Sequence, residues 1–181
     1  MVVMDTFAHR LGFTPHRSLL LQRARRLGLG TSAALEALAW QRGCRYYPRR
    51  DAGAIFREPD FSNEDLTIAL MHPALPWDPQ RLRLAAAMLA ARGNDPRRLA
   101  RLAILEQAVV PLRYIASAGQ VAEPANPFWQ GLIAALPPSA PPPPGVMPHP
   151  SRFAALAGKT RPGSSPSPAS RWIRPLLPSP A

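Results

Sequence analysis

The sequence predicts an all-α protein: a small, irregular bundle of about seven short helices with a disordered, proline-rich C-terminal tail. Three observations predict it. The apolar residues are of the helix-forming kind, with 30 Ala and 23 Leu against 6 Val and 6 Ile. Ala and Leu lose little on entering a helix, and the β-branched residues that suit a pleated sheet are scarce. Capping residues and glycines punctuate the chain at helical intervals up to residue 136. Beyond it, residues 137–181 hold 14 of the 24 prolines and no acid.

The elements follow in order. Thr14-Pro15 pairs a capping side chain with a proline that has no N–H to leave unpaired, and predicts a helix over 15–27 closed by Gly28. A second helix over 32–42 closes at Gly43. Residues 44–60 read as a linker or one small hairpin turning at Asp51 to Gly53. Ser62-Asn63-Glu64-Asp65 reads as a capping box opening a helix over 63–72, with Phe61 and Leu66 placed as a hydrophobic staple. Asp78-Pro79 opens 79–92, where Leu82, Ala85, Ala86 and Leu89 form a stripe opposite Arg81 and Arg92. Asp95-Pro96 opens 96–109, with Leu99, Leu102 and Ala103 inward and Arg97, Arg98 and Arg101 outside. Pro111 begins a helix over 111–118 ended by Gly119, and Asn126-Pro127 opens a closing helix over 127–136.

This organisation divides the chain into a basic helical pair (1–43), the linker (44–60), a helical core (61–136) and the tail (137–181). A segment so rich in Pro is expected to stay extended and unpacked. Two islands interrupt it, around Phe153 with Leu156 and around Trp172 with Ile173. Each is a candidate peptide that folds on a partner; the simpler reading is an inert tail.

The net charge of +11 is uneven. Residues 1–58 carry +6, residues 59–136 are neutral and residues 137–181 carry +5. Of 22 basic residues all but Lys159 are Arg. A GC-rich coding sequence accounts for abundant Arg, Ala and Pro without a polyanion partner, yet the resulting surface still suits phosphates and carboxylates. The single Cys44 excludes an intrachain disulfide and a multi-cysteine zinc site. With no signal-like start, this points to the cytoplasm. The longest uncharged apolar run, Leu84 to Ala91, is far short of the roughly 20 residues of a membrane span.

Motifs for chemistry are weak. Gly28-Leu-Gly30-Thr-Ser-Ala33 matches a dinucleotide fingerprint in letters, but an Arg-rich helical segment precedes it where a strand is needed. Gly158-Lys159-Thr160 lacks the first glycine of a phosphate loop. Residues 24–38 resemble a helix-turn-helix in spacing, yet the second helix is apolar with Glu36 inside it and cannot read base edges. No histidine pair has metal-ligand spacing; His72 reads as a helix-end cation, and Glu64 and Asp65 as first-turn caps. Arg42 and Arg45 flank Cys44 and favour a thiolate there, although a lone thiol is usually inert.

No catalytic, cofactor or metal residues are therefore expected. The leading expectation is a non-enzymatic interaction module with an unidentified protein partner. The alternative is a nucleic-acid-associated protein that contacts phosphates. Both use the same candidates, Arg23, Arg25, Arg26, Tyr46, Tyr47, Arg49 and Arg50, because Arg and aromatic residues serve protein interfaces and stacked bases alike.

Overall fold

The computed structural model describes residues 6–44, 59–156 and 170–176. Tyr46, Tyr47, Arg49, Arg50 and the hairpin expected over 44–60 lie outside the described residues, apart from the segment's ends. The fold is an all-α bundle. Its helices are α1 (Phe7–Leu11), α2 (Leu19–Arg26), α3 (Ser32–Gln41), α4 (Asn63–Leu70), α5 (Pro79–Leu89), α6 (Pro96–Leu105), α7 (Val109–Ala122) and α8 (Pro127–Ala135). Two short strands, β1 (Ala154–Leu156) and β2 (Ser170–Trp172), pair antiparallel with Ala154 opposite Trp172.

The capping code held at most starts. Asp78, Asp95 and Asn126 each accept a backbone N–H at the head of α5, α6 and α8. Ser62 and Asp65 form the reciprocal box of α4. Gly28, Gly43 and Gly93 follow their helices with positive φ.

Three local readings are corrected. The first long helix begins at Leu19, four residues later than Thr14-Pro15 suggested, because Ser18 caps it and is itself held from α6. α1 went unread because a five-residue helix has no intrinsic stability; it exists by burying Phe7 and Ala8 and by bonding the carbonyls of Leu75 and Pro73. α7 does not stop at Gly119 but runs to Ala122. A Cβ on Gly119 would stand 2.5 Å from the Trp129 ring, so this glycine is a notch for α8 and not a terminator.

The helices on both sides of residues 45–58 share one core, which extends from Phe7 through Leu38, Leu66, Met88, Ile115 and Trp129 to Trp172. At its centre is α5, buried on every side. Its Arg81, expected on the solvent face, is 1% exposed. The guanidinium donates to the carbonyls of Leu70 and Pro76 at 2.7 and 2.6 Å and to Ser32 Oγ at 3.1 Å. It thus caps the open carbonyl end of α4. Burial pushes its pKa down to about 10, opposed by Asp78 and Glu36, so the group stays charged at neutral pH.

The expectation of a loose tail is overturned for its described residues. Val146, Met147, Phe153 and Trp172 are buried, and Ile173 packs against the core. Leu156 ends β1, paired with Ser170. Trp172 is 2% exposed; it tilts against Trp129 (centroids 4.9 Å apart) and Phe153 (5.6 Å), and its indole donates to Ala86 O at 3.0 Å. The reason is physical. Proline loses little conformational freedom on ordering and has no N–H to satisfy. Core side chains meet the tail's carbonyls: Trp77 Nε1 donates to Val146 O and the Tyr114 hydroxyl to Pro148 O. The aromatic islands then supply the buried area.

Candidate interaction surface

Arg23, Arg25 and Arg26 all lie on α2, which the structure links to α6 through shared carboxylates. Both helices pack on α4. Two buried carboxylates join them at opposite ends. At one end Glu106, just past α6, accepts the Ser18 hydroxyl at 2.5 Å and the Leu20 N–H at 3.1 Å. Close by, the Gln107 side chain accepts the His16 N–H. At the other end Asp65 pairs with Arg23 at 3.1 Å and with Arg98 at 3.7 Å. The N-terminus of α2 therefore meets the C-terminus of α6, and the two run antiparallel.

Their outer surface is mixed. Leu19, next in the chain to Ser18, and Ile104 and Leu105, next to Glu106, are 72%, 51% and 60% exposed. Arg25, Arg26, Arg97 and Arg101 are exposed and make no hydrogen bond or ion pair among the described residues. Arg23, by contrast, is spent on structure. It binds Asp65, the Asp60 carboxylate at 3.3 Å and the Asp60 carbonyl at 2.6 Å. Neither α2 nor α6 contains an acidic residue.

The aliphatic half of this face escaped the sequence reading, though a signal existed. Ile104 and Leu105 lie three and four residues from Arg101, so they fall on the arc of α6 assigned to solvent. An apolar pair on a polar arc is the mark of a contact surface.

Beneath the face, Ser18, His72 and Glu106 form a polar constellation, each under a tenth exposed. It superficially suggests a catalytic triad, but the connectivity is wrong. Ser18 donates to Glu106, not to His72, while its oxygen caps Leu21 N–H. His72 Nε2 faces Glu106 at 3.1 Å, and Nδ1 accepts the Ala74 N–H at 3.0 Å. With Nδ1 an acceptor, the ring proton sits on Nε2 and is donated to Glu106. His72, just past the end of α4, is thus held by Glu106 and the Ala74 N–H in a structural role. Burial pushes the Glu106 carboxyl up, but the bonds from His72, Ser18 and Leu20 outweigh it and hold it below the usual carboxylate range.

The other candidates are also structural. Cys44 is fully buried and its thiol is pushed up to about 12 by desolvation, so the flanking arginines do not make it a thiolate. Glu64 accepts the N–H of Asp95, tying α4 to the cap of α6. A cleft of about 580 Å³ lies between the tail and the ends of α3 and α5, with Arg42, Arg92 and Arg174 in its wall. Arg42 is engaged with Asn63 and Phe61 O, and Arg174 with Glu123. Among the described residues there is no group of three or more His, Cys, Asp or Glu able to hold a metal ion, and no helix long and apolar enough to cross a membrane.

Fold and surface together define a small all-α bundle whose α2 and α6 expose arginines and aliphatic side chains. Comparison with known family models, curated proteins and solved structures finds no match to this chain.

Proposed function

We propose that this protein is a non-enzymatic interaction module that binds a protein partner through the α2–α6 face. One observation carries the reading: α2 and α6, joined by Glu106 and Asp65, expose three aliphatic side chains together with four arginines that have no partner among the described residues. A rigid patch loses little entropy on binding. Interfaces are built from apolar centres with Arg at hand. The bonding of Ser18, His72, Glu106 and Cys44 into the fold supports the non-enzymatic part, since none is left poised at a substrate-accessible surface.

Nucleic-acid binding is the second reading, favoured by the same four arginines. The aliphatic cluster weighs against it, because Leu19, Ile104 and Leu105 offer nothing to a phosphate backbone. Photo-crosslinking in the cell of origin separates the two. A crosslinker at position 105 should give protein adducts that one at Val121, exposed elsewhere on α7, does not. Adducts to nucleic acid alone, or none at position 105, would reject the proposal.

A further inference from the structure

We infer that the occupant of the α2–α6 face is an acidic, amphipathic helical segment of the partner; this rests on the interaction reading above. The charge argument is direct. Arg25 and Arg26 on α2, Arg97 and Arg101 on α6 and Arg17 are exposed, and among the described residues the carboxylates touching these helices are already engaged. Glu106 and Asp65 are buried, Asp60 pairs with Arg23 at the rim, and Asp95 caps α6. A complement must bring its own negative charge.

The shape argument is equally direct. α6 has 10 residues, which makes it about 15 Å long at 1.5 Å per residue. A partner helix of roughly three turns lying along α6 matches that length. Leu19 begins α2 and Ile104 and Leu105 end α6, where Glu106 joins the two helices, and the free arginines extend away from that end. The ligand therefore needs large apolar side chains at i, i+3 and i+4 over the Glu106 end, and carboxylates beside them reaching the arginines. An extended acidic strand is disfavoured, since both neighbours are helices with no free backbone edge to pair with it. A nucleic-acid strand would leave the aliphatic end uncovered.

The test uses the full chain and fluorescence anisotropy with a labelled helix-forming peptide carrying leucines at i, i+3, i+4 and i+7 flanked by glutamates. It should bind roughly tenfold tighter than the same peptide with glutamates changed to lysines, and than a scrambled peptide of equal composition. Leu105→Asp should weaken it by a similar factor. Arg101→Glu should weaken it too and improve the lysine peptide. Equal binding of the scrambled peptide, or no loss in Leu105→Asp, would overturn the inference. So would a DNA duplex that binds better and loses affinity only in the Arg25→Ala/Arg26→Ala variant. Circular dichroism guards against unfolding, and the charge swap stays decisive if Leu105→Asp alone fails to fold. If crosslinking at position 105 captures protein while the acidic peptide does not bind, this inference fails and the interaction reading stands. If neither occurs, both fail.

Discussion

The molecule treats two of its faces in opposite ways. On the tail side, most large apolar groups and several arginines are covered by the chain itself, with Leu176 and Val121 left exposed. Trp172 and Phe153 are buried, Arg174 makes a bidentate pair with Glu123, and Arg113 donates to the carbonyls of Ile133, Leu136 and Pro137. On the α2–α6 side the same residue types stand open: Leu19, Ile104 and Leu105 in solvent, with Arg25, Arg26, Arg97 and Arg101 around them. The contrast teaches that the open face is not explained by a lack of covering chain. The described part of an apolar and basic tail packs elsewhere. Like charge gives one reason: the described tail carries Arg152, Arg171 and Arg174 and no acid, so it would be repelled by a face of free arginines.

Removing the cover is the most severe way to break this comparison. Trp172→Ala should cost about 3–5 kcal/mol in denaturant unfolding, through lost aromatic burial and an empty slot beside Trp129. A loss below about 1 kcal/mol would mean that the tail is not part of the core. Glu106→Ala tests the floor of the open face. It leaves the Ser18 hydroxyl, the Leu20 N–H and the His72 ring without their acceptor, and should cost about 3 kcal/mol. Gly119→Ala sharpens the helical support beneath the tail. The added methyl meets the Trp129 ring, and overpacking of about 1–3 kcal/mol is expected as a lowered denaturation midpoint.

The latch on the covered side is titratable. Burial raises the Glu123 carboxyl, but donors from Arg174, Asn126 and Trp129 outweigh it and bring it to about 2 from an ordinary 4.5. A depressed carboxylate contributes in full above its unfolded value and loses the contribution as pH falls towards its folded one. Trp fluorescence should thus report weakening of the tail between about pH 4.5 and 2. Glu123→Gln should flatten that response and cost about 1–2 kcal/mol at neutral pH, given the partial exposure of Arg174. The smallest stability effect belongs to the open face: Leu105→Asp should change unfolding by less than about 0.5 kcal/mol while weakening partner binding roughly tenfold.

Much of the bundle was legible because its signals are local. A cap such as Asp78 or Ser62 acts within three residues of itself, and Gly28, Gly43 and Gly93 act at the next position. Of the candidate surface, the arginines of α2 and the outward arginines of α6 were legible for the same reason. Their alignment was not, since it depends on Glu106 and Asp65 reaching across 86 and 42 positions.

The sequence alone determined where most helices begin, where several end and that sheet would be marginal, because backbone satisfaction at a terminus is settled by neighbours in the chain. Tertiary structure alone decided the rest. It turned Arg81 inward to cap the end of the preceding helix, used Gly119 as a notch for an indole, and let Gly43 accept the close approach of Leu176 in the tail. It also gave a proline-rich segment a place to pack. Such outcomes depend on which surfaces meet, and periodicity along one helix reports how greasy a face is without naming what will cover it.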